Sequence, residues 1–255
     1  MSASPLVSCI MPTKNRKQFV CRAFMMFIDA ARIALSKCEL IVLEDGEDSC
    51  SDFVLGGNIV AKKKDLNWRV RYRRHEGTLG AKLNEGARLA RGKYLVNWDD
   101  DDFHHPQRIA NIVKHFELTG AQMVGMSSMP YWREGEKDVW IFNSSDPRYC
   151  TGSGQAFRRD WVLANPHLDQ TVAEDEYMCR MAAKQGVLST IGGTDWVVAC
   201  SHGAHCTNRN HPMQAAPDSD EAKLEAIFGR PADNWQRSSI EKFSWVQQWA
   251  LQASA

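Results

Sequence analysis

Short apolar runs and helix-spaced apolar stripes alternate along the first half of the chain. Leu6 to Met11 is an apolar run that stops at Pro12, and Pro12-Thr-Lys-Asn-Arg16 is polar turn material, so the pattern predicts a buried strand with its loop at the carboxyl end. Phe19, Val20, Ala23, Phe24, Phe27, Ile28 and Ala31 recur at helical spacing and predict a helix laid on the sheet. Glu39 to Leu43 predicts a second strand, with the acidic turn Glu44 to Asp48 at its end. Val70 to Arg74 alternates and predicts a third. Leu79 to Ala90 predicts a helix through Leu83, Ala87 and Leu89, closed by Gly92 in the left-handed cap position. Tyr94 to Trp98 predicts a fourth strand.

Beyond residue 105 the pattern predicts a helix opening at Pro106, with Ile109, Ile112, Val113 and Phe116 inward and an end at Gly120. One strand from Met123 to Met129 follows, then a hairpin from Tyr131 to Phe142 around Arg133 to Lys137. Thr151 to Gly154 reads as a flexible small-residue loop. Asp175 to Gln185 reads as a helix, with Glu174, Asp175 and Glu176 in a first turn where acidic side chains complement the helix dipole. The tail carrying Trp235, Trp245 and Trp249 is expected to pack as helices, and Pro212 to Ser219 is the loosest segment. Strands alternating with helices imply an α/β domain with a mostly parallel, doubly wound sheet and helices on both faces.

In such a sheet ligands bind beyond the carboxyl ends of the strands. Three polar loops fall on that rim: Pro12, Thr13, Asn15 and Arg16 after the first strand, Glu44 and Asp45 after the second, and Asp99 to Asp102 after the fourth. The four consecutive Asp carry the chemistry. Adjacent carboxylates repel one another and resist burial, so a folded chain keeps them together only with a cation among them. Carboxylate oxygens are hard donors suited to Mg²⁺ or Mn²⁺, which typically link one or two Asp to the phosphates of a nucleotide. An acidic, solvated turn capping the next helix is the alternative.

Composition narrows the classes. The 31 basic and 31 acidic residues cancel, so no global field draws the chain to nucleic acid or anionic lipid. The eight Cys are scattered with no CxxC pair, which indicates reduced thiols rather than a zinc site or a disulfide framework. No apolar run of about 18 residues occurs, and the first residues lack the layout of a signal peptide, so a cytoplasmic location without a transmembrane anchor is expected.

Five motifs in order resemble the inverting GT-A glycosyltransferases of family 2. They are Val7-Ser-Cys-Ile-Met-Pro-Thr-Lys-Asn-Arg16; Leu40-Ile-Val-Leu-Glu-Asp-Gly46; Gly80-Ala-Lys-Leu-Asn-Glu-Gly86 with Ala90-Arg-Gly-Lys-Tyr94; the Asp run with Pro106 and Arg108; and Glu174-Asp175. The resemblance implies a GT-A fold in one domain, with residues 1–105 as the nucleotide-sugar-binding half, 106–211 as the acceptor and catalytic half and 212–255 as a helical tail. It also implies a metal-dependent enzyme that uses Mn²⁺ or Mg²⁺ and moves a sugar from a nucleotide-diphosphate sugar, a UDP-sugar in first place, to an acceptor hydroxyl.

Carried over by position, Asp45 would hydrogen-bond the base, with Pro12, Thr13, Asn15, Arg16 and Glu44 around the nucleoside. Lys82 would neutralise a phosphate. Asp99 and Asp101 would form the Asp-x-Asp pair, with Asp101 the direct metal ligand, Asp102 toward the sugar hydroxyls, and Asp99 and Asp100 among the residues that bind the nucleotide sugar. Asp175 would be the general base, with Glu174 beside it. His202 or His205 would complete the metal shell, unless they are ordinary surface or core histidines. Glu44 departs from the family's Asp, and four successive Asp leave the metal register open by one residue. A nucleotidyltransferase of similar fold and an inactive nucleotide-sugar-binding module remain as alternatives. The acceptor is open, with a saccharide favoured and a nucleic-acid base still admissible.

Overall fold

The computed structural model describes residues 4–193, 195–201 and 235–253. Its frame is a seven-stranded sheet in which β1 (Val7–Lys14) is flanked by β2 (Cys38–Asp45) and β4 (Tyr94–Asn97), with β3 (Trp68–Arg74) at one edge. All three of these pairings are parallel. β9 (Ala156–Arg158) lies antiparallel between β4 and β6 (Met123–Met126), and β10 (Leu188–Ile191) closes the other edge in parallel with β6.

Strands buried on both faces read as continuous apolar runs, which is why β1 and β2 were visible as such. Along β1, Val7, Cys9 and Met11 point into one core with α1 (Lys17–Ala34) and α4 (Arg108–Thr119), where Phe24, Phe27, Ile109 and Phe116 meet them. Ile10 on β1, with Ile41, Leu43 and Leu95, packs on the opposite side against α3 (Leu79–Leu89), α5 (Arg159–Ala164) and α6 (Glu174–Lys184). The sheet is therefore mostly parallel with helices on both faces, as expected. α2 (Ser51–Lys63), beside β3, has no counterpart in the sequence reading.

A second sheet was foreseen only as a hairpin. Its five strands run in the order β12 (Trp235–Ser239), β8 (Asp138–Asn143), β7 (Ser128–Arg133), β11 (Val197–Ser201) and β5 (Phe103–His104). The single strand expected over Met123 to Met129 is two strands in different sheets. Ser127 makes the transfer, donating its N–H to Ile191 O (2.9 Å) and accepting at its own carbonyl from Ser144 N–H (2.7 Å).

Other boundaries move for local reasons. α4 begins at Arg108 and not at Pro106, because Arg108 N–H first closes a turn onto His105 O (2.9 Å). Gly120 does take the left-handed cap, at φ 69°. Gly92 does not cap α3, which ends at Ala90 in extended backbone. Gly92 is instead where the chain passes β1, and a Cβ there would lie 2.6 Å from Ser8 N. Trp235 lies on β12, whereas Trp245 and Trp249 lie on the helix Ser244–Ala253, so the tail is not wholly helical. Pro212 to Ser219 lies outside the described residues.

Candidate active site

The three polar loops meet, with residues from the second sheet, around a cleft of about 520 Å³. Pro12, Thr13, Arg16, Lys82, Asp99 to Asp102 and Asp175 line it. Asn15, Glu44, Asp45 and Glu174 are not among the residues that line it. His202 and His205 lie outside the described residues.

The Asp run is not a solvated turn: Asp100, Asp101 and Asp102 are buried. Each carboxylate has its own support. Asp100 Oδ2 accepts from Thr13 Oγ1 at 2.6 Å, and its Oδ1 lies 3.1 Å from the Arg16 guanidinium. Asp101 Oδ2 accepts from the other terminal nitrogen of Arg16. Asp99 Oδ2 accepts from Ser153 Oγ at 2.6 Å. Asp102 is in contact with the same hydroxyl and accepts from Cys200 N–H at 3.1 Å. Among the described residues Arg16 is thus a cation in direct contact with these carboxylates. Burial, reinforced by the neighbouring charge of Asp101, pushes Asp99, Asp100 and Asp102 above the usual carboxylate range.

Behind the cluster, Arg108 is fully buried and its guanidinium donates to Asn97 O at 2.8 Å and to Ser153 O. It fastens the segment Thr151 to Gly154 to the end of β4. That segment is a packed 3₁₀ turn (Gly152–Gly154) and not a flexible loop, because Ser153 and Arg108 tie it down from both sides. Arg22 on α1 donates to Asp101 O at 3.1 Å and pairs with Glu134 at 3.2 Å.

The base-side residues are engaged with one another. Asp45 pairs with Lys14 (3.3 Å) and Lys82 (3.4 Å). Burial opposes its charge, but the two lysines outweigh that and hold its carboxyl below the usual range. Lys82 is itself buried, donates to Thr13 O at 3.1 Å and has its pKa lowered by that burial despite Asp45. Glu44 accepts from Ser49 Oγ (2.8 Å), Cys50 N–H (2.9 Å) and Tyr72 OH (2.5 Å). Its longer arm anchors the start of α2. Asn15, at φ 52°, accepts Glu47 N–H at 2.8 Å and so ties the first loop to the second.

Asp175, the second residue of α6, lies beside the 3₁₀ turn, and a Cβ on Gly152 would stand 3.0 Å from its Oδ2. Glu174 is buried, and burial followed by the charge of Asp175 raises its pKa to about 8. Sequence reasoning missed Tyr131, Tyr149, Thr151, Ser153 and Cys200, which also line the cleft. None of them lies in a motif that periodicity singles out. Trp132, next to the cleft residue Tyr131, is itself buried, with its indole N–H on Glu136 O at 2.9 Å.

The pattern that defines glycosyl transferase family 2 matches residues 8–169, well over half of the sequence. The chain belongs to glycosyl transferase family 2. A protein of Escherichia coli strain K12, provisionally named colanic acid biosynthesis glycosyl transferase WcaA, is 31% identical over 117 residues, which are 45% of this chain and 39% of that protein. Among solved structures, S. aureus TarS 1–349 in complex with UDP-GlcNAc superposes at a TM-score of 0.61, with 15% identity, over 86% of this chain and 63% of that one. A longer S. aureus TarS structure gives 0.57 over 76% of this chain and 36% of that one. This family 2 chain therefore spans less than two thirds of each of these relatives, and the structural likeness speaks to the fold, which is GT-A.

The donor set suits a hard divalent ion. Among the described residues no three His, Cys, Asp or Glu side chains converge as a full metal shell. Mg²⁺ and Mn²⁺ do not need one, because they commonly bind through one or two carboxylates and leave their other positions to waters and phosphate oxygens. Asp101 and Asp99, both on the cleft wall, fit that mode.

Proposed function

We propose that this chain is a metal-dependent, inverting glycosyltransferase that takes a sugar from a nucleotide-diphosphate donor to a saccharide hydroxyl. The observation that carries the reading is that one cleft holds both the carboxylate cluster and Asp175, contributed by distant parts of the sequence. Transfer with inversion needs these two functions on opposite sides of the reacting carbon. The UDP-GlcNAc complex of the structural relative favours a UDP-sugar as donor.

In this reading the loop Pro12 to Arg16 and the Asp45–Lys82 pair receive the nucleoside and diphosphate, and Lys82 brings a buried positive charge to the phosphates. Mn²⁺ or Mg²⁺ held by Asp101 and Asp99 would supply Lewis-acid neutralisation of the departing diphosphate. Asp102 and Asp100 shape the sugar's side of the cleft. Asp175 accepts the proton of the acceptor hydroxyl as its oxygen attacks the anomeric carbon. The bond from that carbon to the diphosphate breaks on the far face, and the configuration inverts. Glu174, buried and protonated at neutral pH, is a neighbour of the base and not the base itself.

A panel of UDP-, GDP- and dTDP-sugars with Mn²⁺ tests the reading through thermal shift and slow donor hydrolysis. A UDP-sugar is expected to stabilise and to be hydrolysed. Asp101→Ala should lose donor binding and turnover together, whereas Asp175→Asn should keep donor binding and lose turnover by about 10²-fold or more. Full transfer by Asp101→Ala with loss in Asp99→Ala or Asp102→Ala would move the metal register, and full transfer by all three would end the metal assignment. An unchanged rate in Asp175→Asn, or donor affinity falling with the rate, would end the base assignment.

A further inference from the structure

We infer that Arg16 is a built-in counter-cation that competes with the divalent metal for Asp101 and is drawn away by the donor diphosphate, so that metal and nucleotide bind cooperatively. The inference rests on the metal reading given above and assigns to Arg16 a part that reading does not contain.

The geometry is specific. The two terminal nitrogens of Arg16 divide between two adjacent carboxylates, one on Asp101 Oδ2 and the other 3.1 Å from Asp100 Oδ1. All three side chains are nearly excluded from water, at 11%, 12% and 1% exposure. Asp100 accepts a hydrogen bond from Thr13, at 2.6 Å on its other oxygen, and so remains supported when the guanidinium moves. A metal on Asp101 Oδ2 and a guanidinium on the same oxygen compete for the same lone pairs, and two cations cannot share that position in a poorly solvated site. Arg16 sits at the boundary between β1 and α1, on the loop proposed to receive the nucleotide, and it lines the cleft. A diphosphate there offers the planar guanidinium a bidentate anionic partner in exchange for the carboxylates. Metal alone must therefore displace a desolvated ion pair, whereas metal arriving with a nucleoside diphosphate meets a carboxylate already released.

Linkage makes the effect reciprocal: UDP must tighten Mn²⁺ by the same factor by which Mn²⁺ tightens UDP. Calorimetric or electron-paramagnetic-resonance titration of Mn²⁺, with and without saturating UDP, measures that factor without any turnover. In the wild-type protein UDP is expected to tighten Mn²⁺ at least about 10-fold, within the usual range for coupled sites. In Arg16→Gln, Mn²⁺ without UDP should bind more tightly than in wild type, and the factor should shrink to the part that the metal's own attraction to the diphosphate supplies. Arg16→Lys, which keeps the charge but cannot bridge both carboxylates, should fall between them. If Arg16→Gln folds poorly because Asp100 and Asp101 lose their counter-charge, Mn²⁺ alone should restore its melting temperature more than it raises that of wild type, and Arg16→Lys carries the titration. An unchanged coupling factor in both variants, in a wild type that does bind Mn²⁺, overturns the role of Arg16 alone. Absence of Mn²⁺ binding by wild type even with UDP overturns the metal reading, and this inference with it.

Discussion

Gly152 shows how closely the site is built at the level of single residues. It has no side chain on the side where Asp175 lies, and a methyl group there would meet the carboxylate at 3.0–3.4 Å. Gly152→Ala should displace Asp175 by a few tenths of an ångström, and if Asp175 is the base, as proposed above, its misplacement lowers rate more than binding. Turnover is expected to drop about 10-fold or more with UDP affinity unchanged, as read by rate and calorimetry on one preparation. Glu174 gives a pH signature. Its folded-state pKa, near 8, lies above the usual carboxyl value, so the folded protein retains a proton that the unfolded chain releases. Below about pH 4.5 both states are protonated and nothing is lost. As pH rises from there to about 8 the wild type loses stability, on the order of 1 kcal/mol for each pH unit. Glu174→Gln removes the titration, so urea unfolding at pH 5 and pH 8 should find the variant gaining on wild type at the higher pH.

At the scale of elements, what the sequence disclosed follows from burial. β1, β2 and β4 lie inside a mostly parallel sheet, and burial on both faces forces continuous apolar runs. α2 escaped because Gly56 and Gly57 weaken its pattern and only Val54 and Ala61 are buried. β5 has two residues, too few to show a period, and β6 and β7 merge into one apolar run because the change of sheet at Ser127 is a matter of hydrogen bonding and not of hydropathy. In the site, Asp99 to Asp102 and Glu174-Asp175 were legible through charge and order. Ser153 and the Cys200 N–H were not, since a hydroxyl in a turn and a backbone amide carry no pattern. Glu44 belongs to this scale as well. By holding Cys50 N–H, Ser49 and Tyr72 it fixes the start of α2. Glu44→Ala leaves a buried N–H and a phenol without their acceptor and should lower stability by about 1–3 kcal/mol in urea. If Glu44 acts through α2, UDP affinity measured below the transition should change little.

At the scale of the whole molecule, the Asp run is one of the bridges between the two sheets. It leaves β4 in the first sheet and enters β5 in the second, and Cys200 on β11 reaches back to hold Asp102. Arg22 adds a third strap, from α1 to Asp101 O and to Glu134 beyond the end of β7. Glu134→Ala removes a partner that lies on the second-sheet side of the cluster. It should weaken UDP binding in the presence of Mn²⁺ by a few-fold with little change in melting temperature, which calorimetry beside a thermal melt would show. The two sheets therefore act in series on one set of oxygens. A mutational search for new acceptors that reshapes β7, β8 or β11 will move donor affinity as well, so variants selected at saturating donor will conceal part of their cost until they are compared at limiting donor.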